Sequence, residues 1–213
     1  MVGGGPFGMR PGQWTDDTSM ALCLAESLVE KGEFDALDQM NRYTNWWLWG
    51  YQSSTGECFD IGGTVRQALE RFQRTGDPFA GSTDRRSAGN GSLMRLAPVV
   101  LFAFPDIERV AHLAAESSRT THAAVEAVEC CQLFGVLLAK ALNGEPRDAL
   151  NACDILPLSE PNVISIAKAS YLSKPAEPDP VRRVLPKGVF PERISARTLA
   201  SISIQTRAPP VSG

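Results

Sequence analysis

The amino-acid sequence predicts an all-α fold, a compact multi-helix bundle, on three observations. Apolar residues recur at the 3.6-residue helical period in one segment after another. Few stretches alternate strictly between apolar and polar residues, as half-buried strands do. Gly, Pro and Asn-Gly positions fall between the periodic segments, where helices end.

The first helix is expected from Thr18 to Lys31, with Met20, Leu24, Leu28 and Val29 near one face and Gly32 as its stop. A second runs from about Ala36 to Trp49, with Leu37, Met40, Tyr43 and Trp47 as its core stripe. A third follows Gly62-Gly63 through Val65, Leu69 and Phe72, and Gly76-Asp77-Pro78 ends it. A polar loop, Gly81 to Gly91, then feeds an apolar helix through Leu93, Met94, Leu96 and Val99, which Pro98 would kink or end. Asp106 caps another through Ile107, Val110 and Ala114. The longest is expected from His122 to Leu142, with Val125, Val128, Leu133, Val136, Leu137 and Leu142, closed by Asn143-Gly144. Two shorter helices, Arg147 to Ile155 and Asn162 to Leu172, complete the set.

Composition bounds the function. A net charge of −3 over 213 residues argues against a nucleic-acid partner bound through phosphate neutralisation. No stretch has the roughly 18 apolar residues of a membrane span, and the opening Met1 to Gly12 lacks an apolar signal core. No membrane partner is expected, and a cytoplasmic location is the default. The five cysteines show neither paired spacing nor Cys/His spacing, so buried free thiols are expected rather than disulfides or a zinc site.

The texture changes near Tyr171. Lys174 to Pro180 is a proline-broken linker. Residues 181–213 hold six Lys/Arg and one acid, a net of +5 that leaves −8 for the rest of the chain. Residues 1–180 are therefore expected to form the helical domain. Residues 181–213 are expected to be a basic, proline-punctuated, poorly ordered tail.

Four constellations can carry chemistry. Thr15, Asp16 and Asp17 put consecutive oxygen side chains at a helix start, which suits either N-capping or a hard divalent cation. Asp60 precedes Gly62-Gly63 and a helix. It reads as another cap, or as an acid beside backbone that a ligand can approach closely. Gly89-Asn90-Gly91-Ser92 is either an ordinary turn or a backbone cradle for a diphosphate at a helix start. His122 reads as a capping or surface histidine, or as a ligand contact.

In this order, Trp14-Thr15-Asp16-Asp17-Thr18-x-Met20, Asp60-Ile61-Gly62-x-Thr64, Gly89-Asn90-Gly91-Ser92-x-Met94-Arg95 and Thr121-His122 resemble the ADP-ribosylglycohydrolase family of the dinitrogenase-reductase-activating type. The resemblance spans roughly residues 1–179 and implies an all-α bundle around two Mg²⁺ or Mn²⁺ ions. It implies Thr15, Asp16 and Asp17 as metal ligands and Asp60 as the catalytic acid near the scissile ribose. Gly62, Gly89, Asn90, Gly91, Ser92 and His122 are implied substrate contacts. The implied activity is hydrolysis of the bond between ADP-ribose and a modified side chain such as arginine or serine, with ADP-ribosylated protein or ADP-ribose as partner. Rival readings are a non-catalytic ADP-ribose-binding module and a structural protein on the same scaffold.

The sequence departs from the family pattern in two places. Members begin with a Gly-Asp-Ala-x-Gly helix, followed by an acidic catalytic residue, and carry a late Asp-x-Asp-Ser/Thr motif that supplies the other metal ligands. This sequence contains neither, and Asp154 and Asp179 are isolated acids. The metal site is therefore expected to be incomplete, and the segment after about Pro180 is expected not to be the family's own ending, as a shift of reading frame would produce.

Overall fold

Asp16 begins the first helix directly after Thr15, and the acids of its opening turn suit the positive end of the helix dipole. The computed structural model describes residues 3–146 and 155–168. In that range seven helices follow one another: α1 (Asp16–Lys31), α2 (Ala36–Trp49), α3 (Gly63–Thr75), α4 (Ala97–Ala103), α5 (Ile107–Arg119), α6 (Val125–Leu142) and α7 (Pro161–Ala167). A single 3-10 turn spans Arg85–Ser87, and among the described residues there are only isolated β-bridges. The all-α expectation holds.

The helix ends follow local chemistry. Asp35 and Asp106 accept backbone N–H bonds from Asp38 and Arg109, each at 2.9 Å, and so cap α2 and α5. Gly32, Gly50 and Gly76 close α1, α2 and α3 in the left-handed conformation that glycine adopts without strain. Arg42 ties α2 back to α1, reaching Asp38 and Glu30 at 2.6 Å and Glu26 at 2.9 Å.

One apolar core joins the helices. Met20, Leu24 and Leu28 of α1 meet Met40, Tyr43 and Trp46 of α2 and Val65, Leu69 and Phe72 of α3. Val99, Val110 and Ala114 extend it into α4 and α5. α5 packs along α6, and α1 lies against α2 and α4. Leu133 and Val136 of α6 form a second cluster with Leu156 and Val163, which seats α7. Beneath α7, buried Glu129 accepts the Ser159 backbone N–H at 2.8 Å and that of Glu160 at 2.9 Å, satisfying donors at the helix start.

Several periodicity assignments need correction. Val29, Leu37, Val125 and Leu142 are exposed, because each sits at the margin of its apolar stripe. Trp46, rather than Trp47, is the buried tryptophan of α2. The expected helix through Leu93 and Val99 is two pieces: a turn over residues 91–95, then α4, in whose first turn Pro98 sits. A first-turn proline loses no helical hydrogen bond, so it starts this helix instead of ending one. His122 precedes α6 by three residues and is not helical. Cys23, Cys58, Cys130 and Cys131 are free, and Cys153 lies outside the described residues. So do most of the expected 147–155 helix and the whole of the 181–213 tail.

Candidate functional site

Four chain segments far apart in sequence line one cavity of about 430 Å³. Thr15, Asp16 and Asp17 come from the start of α1, and Asp60, Gly62, Gly63, Thr64 and Val65 from the entry to α3. Gly89, Asn90, Gly91 and Met94 come from the loop before α4, and His122 from the α5–α6 connection.

The acids are set by the backbone around them. Trp14 is clamped to the loop after α2: its N–H donates to Ser54 Oγ at 3.0 Å, Ser54 Oγ donates to its carbonyl at 2.7 Å, and its indole N–H donates to the Gln52 carbonyl at 3.1 Å. This fixes where α1 starts. Thr15 occupies the N-cap position, yet its side chain makes no capping hydrogen bond. Asp60 is not the cap of α3, since Gly62 holds that position. Asp60 instead stands in the left-handed region, at φ 58°. Aspartate tolerates that conformation better than most residues, but the strain is real and such outliers gather at functional sites. Thr15 is thus an N-cap by position without a side-chain capping bond, and Asp60 is no cap.

The electrostatics follow from this crowding. Burial first, then the charges of Asp17 and Asp60, push the Asp16 carboxyl up to about 6. Burial and the Asp60 charge also raise Asp17. The chain gathers three acids, and among the described residues no salt bridge pairs any of them with a cationic side chain. An all-oxygen set of Asp and Thr side chains matches what a hard divalent cation takes as ligands. Among the described residues, no group of three or more His, Cys, Asp or Glu side chains is close enough to hold a metal ion unaided. The fit is thus to part of a metal site.

His122 is buried, 2% exposed, against the Gly89–Gly91 loop. The loop carrying it is strapped to the chain before the 3-10 turn: Gly81 N–H donates to the Arg119 carbonyl and Ala123 N–H to the Ser82 carbonyl, both at 3.1 Å. The strap needs glycine at 81, where a Cβ would stand 2.6 Å from the Arg119 carbonyl oxygen. Burial and then the neighbouring Arg95 charge push the His122 imidazole down to about 4, so it is neutral at pH 7.

Nine of the ten expected site residues line the cavity, and Ser92 does not. Its side chain is buried behind the loop and accepts from Ser118 Oγ at 2.8 Å and from Cys131 Sγ at 3.3 Å. Sequence reasoning missed Gly63, Thr64, Val65 and Met94 as lining residues, although Thr64 and Met94 fall inside the motifs it used. It also missed Arg95, a wholly buried guanidinium behind the site.

The ADP-ribosylglycohydrolase family model matches residues 1–205. The chain belongs to the ADP-ribosylglycohydrolase family. The chain is 41% identical over 174 residues to an ADP-ribosylarginine hydrolase, Tri1, of Serratia proteamaculans (strain 568), a match covering 82% of this chain and 47% of that protein. It is 29% identical over 149 residues to the ADP-ribosyl-[dinitrogen reductase] glycohydrolase of Rhodospirillum rubrum, covering 70% of this chain and 48% of that one. A solved chain described as an ADP-ribosylglycohydrolase-related protein complex superposes with a TM-score of 0.67 at 44% identity, over 82% of this chain and 57% of the other. This ADP-ribosylglycohydrolase chain thus spans about half the length of the curated relatives it matches. No helix among its described residues is long and apolar enough to cross a membrane.

Proposed function

We propose that this chain carries part of an active site that hydrolyses the glycosidic bond between ADP-ribose and a modified protein side chain. The observation that carries the reading is the meeting in one cavity of the Asp16, Asp17 and Asp60 carboxylates with the Gly89–Gly91 loop and His122. The cavity combines acidic side chains with glycine backbone and one neutral imidazole. A ligand that carries both ribose hydroxyls and a diphosphate matches that combination. The similarity to an ADP-ribosylarginine hydrolase supports arginine as the modified residue.

Thr15, Asp16 and Asp17 would hold Mg²⁺ or Mn²⁺, which supplies positive charge for ribose hydroxyls and for activation of a water. Asp60, held at the cavity rim, would bind the ribose and manage the proton as the bond to the side chain breaks. Gly62 leaves room for close backbone approach beside it. Gly89, Asn90 and Gly91 present backbone to the phosphate oxygens. His122 donates a hydrogen bond to the same end of the ligand.

Calorimetry with ADP-ribose, with and without Mg²⁺ or Mn²⁺, tests the reading together with release of ADP-ribose from an arginine-modified peptide. Metal-dependent binding with release supports the enzyme. Binding without release by a chain that includes the remaining family segments would leave a binding module, and no binding would leave a scaffold.

A further inference from the structure

Arg95 is 0% exposed and has no carboxylate partner within ion-pair distance among the described residues. Isolated buried charges are expensive, and one kept without a counter-ion needs specific compensation. Here it comes from dipoles and a ring. The two protons of Arg95 Nη2 are shared among three acceptors, Thr121 Oγ1 at 2.8 Å and, at 3.1 Å each, Thr120 Oγ1 and the Ser117 carbonyl. Its guanidinium carbon lies 4.4 Å from the centre of the Tyr43 ring. Ser117 is in the last turn of α5, where the helix dipole is negative.

The hydroxyl protons follow from this arrangement. A guanidinium only donates, so both threonine oxygens must accept from it. Thr120 sends its own proton to the Ser117 carbonyl at 2.8 Å. Thr121 is 0% exposed, and its hydroxyl lies 2.9 Å from His122 Nδ1. A buried hydroxyl proton needs an acceptor, and Nδ1 is the acceptor at hand. The ring then carries its proton on Nε2. That edge faces the cavity loop: Cβ atoms built on Gly89 and Gly91 would lie 3.5 and 3.2 Å from Nε2.

We propose that Arg95 is a positioning residue which, through the Thr121 hydroxyl, fixes His122 as the Nε2–H tautomer and aims it as a neutral donor at an acceptor oxygen of the ligand. The ligand half of this statement rests on the ADP-ribose reading above. The tautomer half stands without any ligand. The arrangement gives a buried cation an indirect role: its donation polarises the Thr121 hydroxyl, which strengthens that group as a donor and weakens its remaining lone pair as an acceptor, so the threonine proton points to the imidazole.

Nitrogen-15 spectra of the imidazoles test this directly. The sequence has two histidines, and His112→Gln, at an exposed position, leaves His122 alone to be assigned. Long-range proton–nitrogen correlations at pH 7 should show the Nε2–H pattern in the unliganded protein. A dominant Nδ1–H pattern overturns the proposal without any further variant. Thr121→Val should convert the signal to a mixture of tautomers or to Nδ1–H, and Thr121→Ser should restore it. Unchanged Nε2–H in a folded Thr121→Val protein overturns the relay. In Arg95→Met the Thr121 hydroxyl is no longer polarised by the guanidinium and accepts from the ring more readily, so the mixture should appear again. A pure Nε2–H signal there removes Arg95 from the argument. ADP-ribose affinity should fall on the order of tenfold in Thr121→Val, as expected for one misdirected hydrogen bond. If wild-type protein shows the expected tautomer but binds no ADP-ribose, the functional reading fails while the relay stands.

Discussion

His122 Cε1 lies where the side chain of any residue but glycine at position 91 would go: a Cβ there would stand 2.7 Å from it. The same Cβ would meet Val65 Cγ2 at 3.1 Å. Neither neighbour is the loose end of a flexible chain, so Gly91→Ala must move the imidazole or the loop. The expected cost is about 1–3 kcal/mol of stability and a larger proportional loss in ADP-ribose affinity. Urea denaturation and calorimetry on the same protein check both. Unchanged affinity would mean that the His122–Gly91 contact does not shape the ligand site.

Asp16 is held in a place that suits a cation and does not suit the apo fold. Its carboxyl is pushed up to about 6 by burial and by the Asp17 and Asp60 charges, so ionising it at pH 7 costs stability. Asp16→Asn should therefore raise the melting temperature of the metal-free protein, by on the order of a few degrees. It should also diminish any further rise that Mn²⁺ produces in wild-type protein. A fall in metal-free melting temperature would argue against this repulsion.

His122 predicts the opposite pH trend. Its folded value of about 4 lies below the ordinary 6.5, so between those values the unfolded chain binds the extra proton. Stability from this group is complete above pH 6.5 and is lost as pH falls towards 4, at up to about 1.4 kcal/mol per pH unit. Asp16 works against it in nearly the same window, because a raised carboxyl gains stability as pH falls from about 6 towards its unfolded value. The difference between wild type and His122→Gln isolates the histidine. Their denaturation midpoints should converge as pH drops from 6.5 to 4, and parallel curves would show that His122 titrates normally.

The sequence carried some of this and withheld the rest for physical reasons. Helix identity was legible because α1, α2, α3 and α5 each bury one stripe at the 3.6 period. Stripe margins were not, and Val29 and Leu37 prove exposed, since periodicity cannot say how wide the buried face is. Pro98 was read as a break because its position relative to the first turn depends on where the preceding loop tightens. At the site, motif order gave nine of the cavity's lining residues and misplaced Ser92, and no pattern distinguishes a capping Asp60 from one at φ 58°. Arg95 stood in a motif, but its burial was not legible, because its compensation comes from Ser117, Thr120 and Thr121, more than twenty residues away.

Asp60 offers a clean separation of backbone and chemistry. At φ 58° the position disfavours most side chains but accepts Asn nearly as well as Asp. Asp60→Asn should keep the fold within about 0.5 kcal/mol, since the residue is exposed and makes no cap. In a full-length relative with the same motif it should reduce hydrolysis far more than it reduces stability. Near-normal turnover there would remove Asp60 from the chemistry.

Ser92 is the residue whose expected role and observed place disagree, and it predicts a pattern inverse to that of Asp60. Ser92 is 2% exposed and does not line the cavity. It accepts from Ser118 Oγ at 2.8 Å and from Cys131 Sγ at 3.3 Å, joining the loop to α5 and α6. Ser92→Ala leaves those buried groups short of an acceptor, which typically costs about 1–3 kcal/mol. Ser118 keeps an alternative in the His122 carbonyl at 2.9 Å, so the lower end of that range is expected. ADP-ribose affinity of the folded variant should change less than threefold, a difference well under about 1.4 kcal/mol. A large affinity loss with unchanged stability would return the Ser92 hydroxyl to the ligand and show that the loop turns it into the cavity on binding.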